Sequence, residues 1–179
     1  MKYATPLCLM TIIGIVVLLS IRTSYATAQV TFGSLAPDFS LLDETNRLHT
    51  LSDLRGCRVA LYFYPKDKTP GCTKQACSIN DRFATLRDHQ IQVLGISYDS
   101  PASHAAFKEK YRLSFPLLSD SDKKVATLYG VNGWFFAHRV TFLIDESGIV
   151  IDIIKQVDLK NHAQQILNGF LAHSHKPSE

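Results

Sequence analysis

Two apolar runs constrain this chain more than anything else in it. CRVALYFYP at 57–65 and IQVLGISYD at 91–99 are largely apolar and rich in Val, Ile, Tyr and Phe. A strand that reads as a continuous apolar run, not as an alternation, is buried on both faces. Between the two lie a polar loop, KDKT, and a stretch from Pro70 to about His89 with Ile79, Phe83 and Leu86 near helical spacing. A strand, a helix and a second buried strand predict a parallel centre to the sheet.

The remaining segments dress that centre. PDFSLLD (37–43) and RLHTL (47–51) flank the polar turn Glu44-Thr45-Asn46 and predict a small hairpin. Ser100-Pro101 opens a helix that holds Phe107 and Tyr111, with Pro in the first turn where its missing N–H costs little. Ser119 to Tyr129 predicts a shorter helix. RVTFLID (139–145) and IVIDIIKQV (149–157) read as strands joined by Glu146-Ser147-Gly148, and Leu159 to Ala172 is an amphipathic helix. The expected fold class is therefore α/β: a central mixed sheet, helices on both faces and an N-terminal β-hairpin. The chain shows no internal repeat, its 179 residues fit one domain, and its 46% hydrophobic and 20% charged content excludes disorder, collagen and coiled coil.

The N-terminus stands apart. Lys2 precedes an uncharged run, PLCLMTIIGIVVLLSI (6–21), which Arg22, Thr23 and Ser24 end; Ala26-Thr27-Ala28 follows. A basic start, an apolar middle and a small-residue end describe a secretory signal peptide over 1–28, with the mature chain starting at Gln29. The alternative is an uncleaved membrane anchor, although the run is short against the about 20 residues a spanning helix needs. The expected domain is then 29–174 with a polar tail at 175–179, and the expected location is outside the cytosol, in a bacterial periplasm. Losing Lys2 and Arg22 takes the net charge from +3 to +1. No basic stripe remains to suggest nucleic acid. Cys8 leaves with the leader, so Cys57, Cys72 and Cys77 remain. Three cysteines in an exported chain leave at least one unpaired or paired between chains.

TPGCTKQAC (69–77) carries the chemistry. Thr69 suits an N-cap and Pro70 the first helical position, which makes Cys72 the third helical residue. Its sulfur then sits in the first turn, beside backbone N–H groups without intrahelical acceptors and at the positive end of the dipole, where a thiolate is stabilised and nucleophilic. In an intact helix Cα atoms five residues apart are about 8.6 Å from each other. A disulfide wants about 4.4–6.8 Å. Cys72 and Cys77 therefore bond only if this turn unwinds. The pair is either a structural disulfide that breaks its own helix or a redox pair that opens and closes; the spacing favours the second. A metal site is disfavoured because no second ligand pair sits at suitable spacing and the seven histidines are scattered. The C-x-x-C of a thioredoxin-type oxidoreductase is absent.

YFYPKDKTPGCTKQACSIND (62–81) closely resembles the active-site segment of peroxiredoxins, and within them the bacterioferritin comigratory protein, or PrxQ, subgroup. The family pattern P-x-x-x-T-x-x-C falls on Pro65, Thr69 and Cys72; the subgroup's second cysteine falls on Cys77; and the arginine that opens a strand reading R-x-T-F-L-I-D falls on Arg139. The resemblance runs from about Ala36 to the last helix. It implies a thioredoxin-like fold and an atypical two-cysteine, thiol-dependent peroxidase of antioxidant defence, a monomer or weak dimer. It implies hydrogen peroxide and organic hydroperoxides as substrates, and no metal, haem or flavin.

The resemblance also implies roles. Cys72 is the peroxidatic nucleophile that becomes a sulfenic acid. Cys77 resolves it as an intramolecular disulfide, which a thioredoxin-like reductant then opens. Arg139 stabilises the thiolate and the charge on the breaking O–O bond. Thr69 hydrogen-bonds the peroxide, and Pro65 walls the pocket against water. Taken without the resemblance, Thr69 is a helix cap, Pro65 a strand end and Arg139 half of a surface ion pair. Cys57 lies outside the motif and is expected as a buried or half-buried thiol. The stretch GVNGWFFAH (130–138) is short and aromatic where many relatives carry a longer polar loop, and Trp134, Phe135 and Phe136 are expected as packing residues. The rival reading is an exported thiol–disulfide oxidoreductase.

Overall fold

The computed structural model describes residues 30–173. The leader assigned to 1–28 and the tail at 175–179 lie outside the described residues. No helix among the described residues is long and apolar enough to cross a membrane.

Among the described residues seven strands form one sheet: β1 (Ser40–Asp43), β2 (Leu48–Thr50), β3 (Arg58–Phe63), β4 (Ile91–Ser97), β5 (Leu117–Ser119), β6 (Val140–Ile144) and β7 (Val150–Ile154). Their order is β2-β1-β5-β4-β3-β6-β7. The two apolar runs lie side by side as parallel β3 and β4, with Ala60 opposite Val93 and Tyr62 opposite Gly95. β5 extends the parallel part beside β4, and β1–β2, β1–β5, β3–β6 and β6–β7 pair antiparallel. Gly95 is required by a close approach: a Cβ there would lie 2.7 Å from Tyr62 Oη and 2.8 Å from Leu117 Cδ2.

Among the described residues five α-helices cover the sheet: α1 (Pro70–Asn80), α2 (Phe83–Asp88), α3 (Pro101–Tyr111), α4 (Lys124–Leu128) and α5 (His162–His173). On one face Ile79 of α1, Leu86 of α2, Phe107 of α3 and Ile166 and Phe170 of α5 pack against Ala60, Tyr62, Val93 and Leu143. On the other, Val125 and Ala126 of α4 join Phe39, Leu41 and Leu51 over Leu61, Phe63, Ile96 and Phe142. Helices thus lie on both faces, unequally.

Four local readings change. The single helix expected from Pro70 to about His89 is two, broken at Asp81 and Arg82. Asn80 is drawn sideways there: its carboxamide donates to the Arg112 carbonyl and accepts from the Ser114 N–H. The helix expected over Ser119 to Tyr129 is only Lys124–Leu128, preceded by the unforeseen strand β5. The buried Asp120 carboxylate turns the chain between them by accepting from the Val125 and Ala126 N–H groups. The last helix starts at His162 and not at Leu159, because Asp158 accepts from the Lys160 and Asn161 N–H groups in a turn. Trp134, Phe135 and Phe136 do not pack inward: they are 85%, 74% and 48% exposed. Their loop is closed early by the His138 N–H on the Val131 carbonyl at 2.8 Å, too short a span to fold back on the core.

The β1–β2 turn gives the fold an acid-sensitive joint. Asp43 Oδ1 accepts from the Thr45 N–H and hydroxyl, both at 2.7 Å, and from the Arg47 N–H at 3.0 Å; Oδ2 bonds His49 Nε2 at 2.7 Å. Burial pushes this carboxyl up, but the bonds from Thr45, His49 and Arg47 outweigh it and hold it at about 2. The folded value lies below the unfolded one, about 3.9, so this contribution is complete above about pH 4 and is lost as the pH falls from about 4 to 2. Denaturant melts across that window should show Asp43→Asn losing less stability than the parent, by about 2 kcal/mol. Equal losses in both would refute the assignment.

Candidate active site

The site forms where β3 ends. Tyr64 still bonds the sheet through its N–H to the Ile96 carbonyl; Pro65 follows and cannot donate to a ladder. The loop to α1 is then pinned by Asp67, which is buried. Its carboxylate accepts from the Tyr64 hydroxyl at 2.7 Å, from the Ser103 hydroxyl at 2.7 Å and from His104 Nδ1 at 2.9 Å. Burial raises this carboxyl, yet the bond and charge of His104, with Ser103 and Tyr64, bring it below its ordinary value. His104 Nε2 faces the Leu118 carbonyl at 3.2 Å, an acceptor only, so that nitrogen carries a proton. The loop is thereby clamped to α3 and β5, and its end, where α1 begins, is fixed in space.

Thr69 occupies the N-cap position with extended backbone, but its side chain makes no cap bond. The hydroxyl instead donates to the Lys66 carbonyl at 3.0 Å. The cap expected of Thr69 is therefore absent because the hydroxyl closes the preceding turn, and its oxygen remains open as an acceptor. Cys72 is the third residue of α1 and only 2% exposed. Arg139, half-buried just before β6, donates from Nη2 to Cys72 Sγ at 3.2 Å. Antiparallel pairing of β6 with β3, with Val140 opposite Phe63, brings this arginine across 67 residues of sequence. Arg139 is thus no surface ion pair; it faces the sulfur.

Three further residues, which sequence reasoning missed, complete a buried line. Arg139 Nη1 donates to Gln75 Oε1. Gln75 is three residues after Cys72 and so on the same helix face, the one signal that would have found it. Gln75 Nε2 meets His162 Nδ1 at 3.0 Å, and His162 Nε2 meets Thr141 Oγ1 at 3.0 Å. All three are fully buried. Burial, then the Arg139 charge, pull His162 down to about 4, with Asp158 opposing, so the imidazole is neutral near pH 7.

Cys77 lies on the same unbroken helix, half-buried, and both cysteines are free thiols. Burial and then the Asp81 charge push the Cys77 thiol up, so it is protonated near neutral pH. Cys57 is half-buried at the start of β3, the end of the strand away from Cys72. Pro65 lines a shallow cavity of ≈ 190 Å³ with Lys66, Tyr98, Asp99, Phe135 and Phe136. A nucleophilic sulfur in a helix's first turn, met by a guanidinium and shielded from bulk water, is equipped to attack an electrophile and hold the charge that develops.

The sequence pattern of the AhpC/TSA family matches residues 32–153. Over 150 residues the chain is 40% identical to peroxiredoxin Bcp of Escherichia coli, covering 79% of this chain and 96% of that one. Among solved structures, a PrxQ variant of Xylella fastidiosa superposes with a TM-score of 0.78 at 30% identity, covering 83% of this chain and 99% of that one. The bacterioferritin comigratory protein of Xanthomonas campestris, studied for alkyl peroxide reduction, superposes with a TM-score of 0.71 at 30% identity over 75% of this chain and 91% of that one.

Proposed function

The chain belongs to the AhpC/TSA family and is a peroxiredoxin of the Bcp/PrxQ kind, and from that premise we propose the cycle it runs. The Cys72 thiolate attacks the terminal oxygen of a hydroperoxide. An S–O bond forms, the O–O bond breaks, and the alkoxide or hydroxide released takes a proton from water; Cys72 is left as a sulfenic acid. Arg139 holds the thiolate and then the charge on the departing oxygen. Thr69 accepts a hydrogen bond from the peroxide O–H, and Pro65 walls the approach. The turn at 72–77 then unwinds, Cys77 displaces water from the sulfenic acid, and a Cys72–Cys77 disulfide forms. A thioredoxin-like dithiol reduces it by exchange.

The observation that carries this reading is the Arg139 Nη2 contact to Cys72 Sγ at 3.2 Å in the first turn of α1. The alkyl peroxide activity of the Xanthomonas campestris relative supports organic hydroperoxides beside hydrogen peroxide as substrates. The basic, apolar, small-residue leader over 1–28 supports action in the periplasm, with an exported thioredoxin-like protein as reductant.

The test is peroxide consumption by the purified protein with thioredoxin, using hydrogen peroxide and cumene hydroperoxide, followed by disulfide mapping after one equivalent of oxidant. Turnover with a Cys72–Cys77 bridge is expected. Reduction of insulin disulfides without peroxide turnover would overturn the reading in favour of a thiol–disulfide oxidoreductase. In Cys77→Ser the sulfenic acid should form at the parent rate and persist, trapped by dimedone. Its thioredoxin-driven turnover should fall at least about tenfold and recover with small thiols, since only resolution is lost.

A further inference from the structure

We propose that His162 is a positioning residue for Cys72: as a neutral imidazole protonated on Nε2, it fixes the Gln75 amide with its oxygen toward Arg139 and so seats the guanidinium on the sulfur. This names a new part for the peroxidase read above and rests on that reading for the reaction it serves.

The inference follows from donor and acceptor roles along one buried line. A guanidinium has donors only. The Gln75 atom bonded by Arg139 Nη1 is therefore Oε1, and Nε2 is left to face His162 Nδ1 at 3.0 Å. An amide NH₂ donates, so Nδ1 carries no proton. The proton of the neutral ring is then on Nε2, which donates to Thr141 Oγ1 at 3.0 Å. A proton on Nδ1 would set two donors against each other. Relief would need a flipped amide, which would turn the NH₂ against the guanidinium. Every bond in the line thus depends on one tautomer.

The surroundings keep that tautomer. His162 is fully buried, Tyr62 stacks edge-on to it at 6.1 Å, and its own N–H is held by Ser78 Oγ at 2.9 Å, which ties the start of α5 to α1. The His162 ring bonds Gln75 and Thr141 and not Cys72. It acts through Gln75, which shares a helix face with Cys72, and through Arg139.

The experiment reads Cys72 in two ways: its oxidation by one equivalent of hydrogen peroxide, and its alkylation by iodoacetamide at pH 6, followed on the Cys72 peptide by mass spectrometry. His162→Leu, which removes the acceptor, should slow both by about tenfold or more, as expected for loosening a charged hydrogen bond. His162→Asn, whose side-chain oxygen replaces Nδ1, should stay within about threefold of the parent. Added to Gln75→Ala, His162→Leu should cost nothing further, because the two act as one unit. Parent rates in a folded His162→Leu, equal damage in Leu and Asn variants, or losses that multiply would each overturn the proposal. Should His162→Leu fail to fold, Thr141→Val decides: it removes the partner of Nε2 without touching Arg139 or Cys72, and unchanged alkylation there overturns it too. Alkylation that responds to His162 in a protein that consumes no peroxide would sink the peroxidase reading and uphold this one.

Discussion

Cys72→Ser should stop peroxide consumption, by at least about a thousandfold, while leaving the fold in place. The substitution exchanges one atom at a site that is 2% exposed, in the first turn of a helix that needs no particular side chain there. The Arg139 Nη2 that meets Sγ at 3.2 Å can donate to a hydroxyl oxygen instead, so circular dichroism and the denaturant midpoint should move little. The chemistry should not survive. A serine hydroxyl is not ionised by a helix terminus and one guanidinium, and an unionised hydroxyl does not attack an O–O bond at a useful rate. Cys57→Ser is the internal control. Cys57 lies before β3, at the opposite end from the loop that carries Pro65, and its loss should leave turnover intact. Turnover undiminished in Cys72→Ser would remove the proposed nucleophile and with it the cycle.

What the sequence disclosed about this site follows from how local each part is. Pro65, Thr69, Cys72 and Cys77 sit within one strand-loop-helix segment, so their relative placement needs only that segment to form. Arg139 is remote: from sequence only the family resemblance points to it, and the pairing of β6 with β3 is what delivers it to the sulfur. The line from Gln75 through His162 to Thr141 joins α1, α5 and β6. In sequence these three polar residues are scattered along the chain, and only the packing of α5 over α1 makes them neighbours. The same gap explains the fold-level misses. β5 is three residues long and leaves no periodic signal. The break after Asn80 comes from its bonds to Arg112 and Ser114, far along the chain. Trp134, Phe135 and Phe136 show the one-way nature of hydrophobicity: apolar residues fill cores, but a tight loop leaves them in water.

Arg139→Ala should lower the rate of Cys72 oxidation by about a hundred- to a thousandfold, the range for loss of one preorganised donor to a developing anion. Two effects add. The guanidinium at 3.2 Å donates to the sulfur before attack, and the same charge meets the oxygen that leaves. Both occur beside a nearly buried sulfur, where a charge is screened less than in bulk water. Arg139→Lys should recover only part of the loss. It keeps the charge, but a single ammonium cannot reach Gln75 and Cys72 together as the planar fork does through Nη1 and Nη2. Stability separates this from simple damage. Arg139→Ala leaves Gln75 Oε1 buried without its donor, which should cost about 1–3 kcal/mol in a denaturant melt. Arg139→Met combined with Gln75→Leu removes the orphaned Gln75 Oε1 but leaves His162 Nδ1 without its donor, so stability should return only in part while peroxide reduction stays slow. A double variant that regained the parent rate would show that Arg139 matters for packing and not for the charge it presents to the sulfur.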